Sequence, residues 1–135
     1  LCRDNGVIIY ISDMKIVIVE DDKVLSLLLS KMIQRLGYEV LDVISKGQDA
    51  IDKIQNLLPD LVLMDIMLED DIDGIDVMIR LREKGFNTPV IYITGNSDPS
   101  HQQRAQKTDF EEYLIKPVGY EDLKRNIELV EQKKS

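Results

Sequence analysis

Three groups of residues in this chain have types and spacing that suit chemistry. Glu20, Asp21 and Asp22 stand in a row directly after the apolar run Ile16–Val19. Asp65 directly follows Leu61–Met64, with Glu69, Asp70, Asp71 and Asp73 close behind it. The two windows, 20–22 and 65–73, hold eight of the 25 acids and no lysine or arginine. Carboxylates brought together repel one another strongly at short range unless a cation stands between them. An oxygen-only, acid-rich pocket suits a hard divalent ion, Mg2+ in particular, which takes carboxylates together with water and phosphate oxygens. The third group is Thr94-Gly95 and Lys116-Pro117, a hydroxyl and an ammonium that each close an apolar run. Glu20, Asp21 and Asp65 balance in charge against Mg2+ and Lys116. Such a set is suited to a phosphoryl group held jointly by metal, ammonium and hydroxyl.

These residues act together only if the elements before them end at one place. Five apolar runs, Ile16–Val19, Val40–Ile44, Leu61–Met64, Val90–Ile93 and Tyr113–Ile115, begin 24, 21, 29 and 23 positions apart. Each gap has room for one helix, the mark of consecutive βαβ units. Four of the runs are apolar on both alternating faces, as strands covered on both sides must be. The gaps read as helices: Lys23–Leu36 before Gly37, Ala50–Leu58 before Pro59, Ile75–Leu81 before Gly85, and a last one marked by Leu123, Ile127 and Val130. The fourth is weak, since Asp98-Pro99 opens it well but Ser100–Lys107 has only Ala105 to bury; it is expected to be the loosest element. The fold class is therefore α/β, a three-layer α/β/α sandwich on a five-stranded parallel sheet. Such sheets bind ligands beyond the carboxyl ends of their strands, where the strand order reverses.

Composition narrows the function. At 135 residues, 44% hydrophobic and 31% charged, this is a single globular domain that needs no disulfide or metal merely to fold. A net charge of −8 disfavours nucleic acid and anionic membrane surfaces as partners. No apolar run approaches the roughly 20 residues that span a bilayer. Cys2 alone supports no disulfide or zinc site. Residues 1–13 lack the features of a signal peptide and read as an N-terminal extension, either upstream sequence or an added edge strand. Met14 is then the expected natural start, and 14–135 the domain.

The order Glu20-Asp21, Asp65, Thr94 and Lys116-Pro117, each at the end of a strand, resembles the receiver domain of two-component response regulators, over about Met14 to Lys133. Each motif alone is common; their order is specific. The resemblance implies a flavodoxin-like fold with strand order 2-1-3-4-5 and a cytoplasmic regulatory domain rather than an enzyme. It makes Asp65 the phosphoacceptor for a histidine kinase or a histidine phosphotransfer protein. Glu20, Asp21, Asp65 and the backbone carbonyl of Met67 would hold Mg2+. Thr94 and Lys116 would bind phosphoryl oxygens, and Tyr113 would follow Thr94 inward as a switch. A cis peptide is expected at Lys116-Pro117. The readout would be the surface of the fourth helix, fifth strand and fifth helix, offered to a downstream protein or a second copy because the sequence shows no output domain.

The sequence departs from the family in a loop after Asp65 that is one residue longer and lacks a proline, and in Asp109-Phe110 where a Gly-Ala pair is usual. A Mg2+-dependent phosphatase or phosphotransferase with an aspartyl nucleophile shares much of this chemistry. Some of those enzymes place a second aspartate two residues on; Met67 stands there and cannot move a proton. A flavin-binding module would set a cofactor phosphate against the three acids after the first strand, which repel it. Read by themselves, Asp22 is a helix cap, Glu69, Asp70, Asp71 and Asp73 are a solvated loop, and His101 is a solvated histidine.

Overall fold

The computed structural model describes residues 2–4, 7–9, 13–95 and 98–134. Five strands, β1 (Lys15–Val19), β2 (Glu39–Ile44), β3 (Leu61–Met64), β4 (Val90–Thr94) and β5 (Glu112–Ile115), alternate with five helices. The helices are α1 (Lys23–Arg35), α2 (Gly47–Leu57), α3 (Gly74–Glu83), α4 (Pro99–Ala105) and α5 (Tyr120–Lys134), and a 3-10 turn, Gln106–Thr108, follows α4. The strands are all parallel, in the order 2-1-3-4-5. The sheet order reverses beside β1 and β3, so the ends of those two strands are neighbours.

Alternation along each strand sorts its side chains into two cores. Ile16, Ile18, Leu61, Leu63, Ile91 and Ile93 face α1 and α5, meeting Leu29, Ile33, Leu123 and Ile127. Val17, Val19, Val62, Met64, Val90 and Tyr92 face the other way, onto Ile51, Ile54, Ile75, Met78 and Leu81. In β2 the register slips between Ile16 and Val17, pairing Val40 with Ile16 but Asp42 with Val17. That bulge lets Leu41 and Ile44, an odd number of residues apart, pack on the same face.

Of the 13-residue extension, residues 1, 5, 6 and 10–12 lie outside the described residues. Cys2–Asp4 and Val7–Ile9 form their own antiparallel pair rather than a sixth strand of the sheet. At the amino-terminal edge of the sheet, one carboxylate ties together the two ends of the fold. Asp60 accepts from the backbone N–H of Lys15 at 2.8 Å and from the ammonium of Lys134 at 2.6 Å. No helix among the described residues is long and apolar enough to cross a membrane.

Candidate functional site

The ladder of the sheet continues one residue past its strands, and this aims the rim side chains. The N–H of Glu20 donates to Ile44 O at 2.8 Å, that of Asp65 to Val19 O at 2.9 Å, and that of Lys116 to Thr94 O at 2.8 Å. The ends of β2, β1 and β3 are thereby locked in register, as are those of β4 and β5, and carboxylate oxygens of Glu20, Asp21 and Asp65 lie within 4.8 Å of one another. Glu20 and Asp65 are buried, at 3% and 5% exposure, and Asp21 is more open. Lys116 Nζ reaches Glu20 Oε1 at 2.9 Å and Asp65 Oδ2 at 3.0 Å. One ammonium for three carboxylates leaves the cluster short of positive charge.

Burial and the crowding of like charges both act on the proton affinities here. Burial pushes the Glu20 carboxyl above its ordinary range, and the neighbouring Asp65 adds to the rise. Burial and the nearby Glu20 raise Asp21 as well. Burial works against the Lys116 charge, but its hydrogen bonds to Glu20 and Asp65 carry the ammonium above ordinary lysine. The donor set, carboxylates only with a deficit of cation, fits Mg2+.

Around this centre, Asp22 caps α1, its carboxylate accepting from the N–H groups of Val24 and Leu25. Thr94 is fully buried at the end of β4. Met67 is 58% exposed, and its N–H donates to Asp65 Oδ1 at 3.4 Å. The Lys116-Pro117 peptide is cis. Tyr113 packs its ring against Tyr92 and Phe110, with centroids 5.9 Å and 6.0 Å away. Its hydroxyl is buried and has no hydrogen-bond partner among the described residues, nor does the buried Nδ1 of His101. His101 is half-buried with its Nδ1 shielded, less open than the solvated histidine that sequence reasoning implies. Asp109 adopts a left-handed conformation with φ 50°, and Phe110 fills the space beside Tyr92.

The acidic loop differs from expectation in the same way. Glu69 accepts from Ser45 Oγ, and Asp70 accepts from the N–H groups of Gly47 and Gln48. Asp73 caps α3 in a reciprocal box with Asp76 and receives Arg104. Glu69 and Asp71 are exposed, as the sequence suggests, whereas Asp70 and Asp73 are half-buried and hold other elements in place. The spacing Asp73-x-x-Asp76 ahead of an apolar run is a capping-box signal that points to one of these roles; nothing local points to the others. Gly74 is a further residue that sequence reasoning passes over: a Cβ there would collide with the carbonyl oxygen of Asp65.

A cleft lined by Pro59, Pro89 and Val130 lies at the opposite edge of the sheet. Its ionic groups are paired, Lys133 with Glu111 and Lys134 with Asp60, so it lacks the uncompensated charge of the rim.

Comparison with known proteins agrees with this geometry. The response regulator receiver domain family matches residues 16–128. The chain is 35% identical over 111 residues to the phosphate regulon transcriptional regulatory protein PhoB of Rhizobium meliloti, covering 81% of this chain and 48% of that protein. It is 33% identical over 116 residues to the transcriptional regulatory protein DltR of Streptococcus agalactiae, covering 86% and 51% respectively. The chain thus spans about half the length of these curated relatives. Among solved structures, the signal receiver domain of a modulated diguanylate cyclase from Desulfovibrio desulfuricans G20 superimposes with a TM-score of 0.82 at 38% identity, covering 90% of this chain and 97% of that one. A LuxR-family DNA-binding response regulator from Staphylococcus aureus gives a TM-score of 0.81 at 28% identity, covering 87% and 98%. With a family match over most of its length and a sheet in the order 2-1-3-4-5, the chain belongs to the response regulator receiver domains of two-component systems.

Proposed function

We propose that this domain accepts a phosphoryl group onto Asp65 from the phosphohistidine of a histidine kinase or a histidine phosphotransfer protein, with Mg2+ bound. One geometry carries the reading: a buried carboxylate, 3.0 Å from a lysine ammonium, sits among acids whose oxygens lie within 4.8 Å. A carboxylate oxygen of Asp65 attacks phosphorus in line. The new P–O bond forms as the P–N bond breaks, and its electron pair returns to the imidazole nitrogen of the donor. Glu20, Asp21, Asp65 and the Met67 carbonyl are the residues that would hold the metal, which when bound offsets negative charge on the phosphoryl oxygens. Lys116 leaves its resting pairs to bind a phosphoryl oxygen, and the Thr94 hydroxyl takes another.

Readout follows from Thr94 turning toward the phosphoryl group. The Tyr113 hydroxyl is buried and has no hydrogen-bond partner among the described residues, so the ring has a reason to relocate when space opens beside Thr94. The surface of α4, β5 and α5 then changes for a downstream protein or a second copy of the chain. This is a regulatory role rather than turnover of a substrate, placed in the cytoplasm and carried by residues 14–135, with 1–13 as an extension.

Intact-mass spectrometry with a small acyl-phosphate donor tests the first step. One added phosphoryl group is expected with Mg2+ and none without it. An undiminished adduct in Asp65→Asn would overturn the assignment.

A further inference from the structure

The loop from Ile66 to Asp73 carries the Met67 carbonyl and contains no proline, so no ring within it fixes the backbone. Its shape is set from outside. The Asp70 carboxylate accepts from Gly47 N–H at 2.8 Å and from Gln48 N–H at 3.0 Å, the first two residues of α2. Lys46, the residue at the N-cap of that helix, makes no side-chain cap of its own. Alongside, Glu69 N–H donates to Ser45 O at 3.2 Å, and a Cβ on Gly47 would lie 2.8 Å from Ile72 O, so the loop is seated directly on the start of α2. At its far end, Gly74 N–H donates to Ile66 O at 2.7 Å and closes the loop under Asp65.

We infer that Asp70 is a positioning residue for the metal site: by bolting the loop to the start of α2, it holds the backbone at Met67 where a cation on Asp65 can use its carbonyl. The inference rests on the Mg2+ reading of Glu20, Asp21 and Asp65. It separates two jobs that one carboxylate does at once, capping α2 and shaping the loop. Removing the carboxylate disturbs both; a new cap placed at Lys46 restores only the first, because a serine there reaches the helix amides without touching the loop.

The test is Mg2+ titration by calorimetry, with melting temperature and loop hydrogen exchange measured without metal, on the whole chain. Asp70→Ala is expected to melt lower, to exchange faster over Met67–Ile72, and to bind Mg2+ about tenfold more weakly. The double variant Lys46→Ser with Asp70→Ala is expected to recover its melting temperature but neither the affinity nor the slow loop exchange. Asp70→Glu, which keeps the carboxylate, is expected to recover part of the affinity. An unchanged Mg2+ affinity in Asp70→Ala, or full recovery of affinity in the double variant, would overturn this inference alone. Mg2+ binding that survives both Asp21→Asn and Asp65→Asn would overturn the metal reading and this inference with it.

Discussion

On the proposed metal reading, Asp21 sets how strongly the rim responds to a cation. Because burial and Glu20 already push its carboxyl upward, its ionised form is held at a cost in the metal-free protein. A raised folded-state pKa in an acid means that stability is fullest below the unfolded value and falls as pH rises through the folded one. Asp21→Asn is therefore expected to raise the metal-free melting temperature at neutral pH and to remove most of the stabilisation by Mg2+. In the unaltered protein that gain is expected to be about 2.7 kcal/mol at a hundredfold excess over the dissociation constant. Thermal melts with and without Mg2+ check both halves. Gly74→Ala is expected to cost about 2–4 kcal/mol, measured by urea titration, because the added methyl displaces the backbone of Asp65. At this scale the sequence is informative where a residue ends a strand. Glu20, Asp21, Asp65 and Lys116 each do, and strand order alone brings them to one rim. Asp70 and Arg104 are illegible for the opposite reason: their partners stand 22 and 31 residues away and meet them only once the loops have folded.

The element that most needs such a distant partner is α4. It is seven residues long and Ala105 is its one buried residue, as the pattern Ser100–Lys107 implies. What the pattern hides is Arg104, whose guanidinium reaches Asp73 Oδ2 at 2.8 Å and Asp76 Oδ1 at 2.7 Å across the first turn of α3. Burial alone would raise the Asp73 carboxyl, but Arg104 and the cap hydrogen bond from Asp76 hold it below the ordinary aspartate range. A depressed carboxyl contributes stability above its unfolded pKa, roughly 3.9, and loses it as pH falls through the folded value. Arg104→Gln is expected to destabilise the protein by about 1 kcal/mol at neutral pH, after solvent screening, and the difference should close in acid. Hydrogen exchange across Pro99–Thr108 is expected to quicken in the same variant. The strands and the other four helices are legible because their apolar periodicity is set by burial on known faces. The bulge in β2 and the hairpin ahead of Met14 are not, since each depends on pairing geometry rather than on composition.

Across the whole molecule, the two cores and the rim are built from strands that run one way, so the loops at the two edges of the sheet do different work. The carboxyl edge gathers the acids. At the amino edge, Asp60 holds the start of β1 and the end of α5 to a single side chain, at 2.8 Å and 2.6 Å. The fold is therefore close to a closed ring in its connectivity: joining residue 134 to residue 14 through a few glycines and serines, and opening the chain at the exposed Lys84–Gly85 turn, reorders the elements without moving any of them. Such a circular permutant is expected to keep Mg2+-dependent phosphorylation of Asp65, with some stability lost from the severed end of α3. The same adjacency means that a force pulling Lys15 and Lys134 apart bears directly on the two contacts of Asp60.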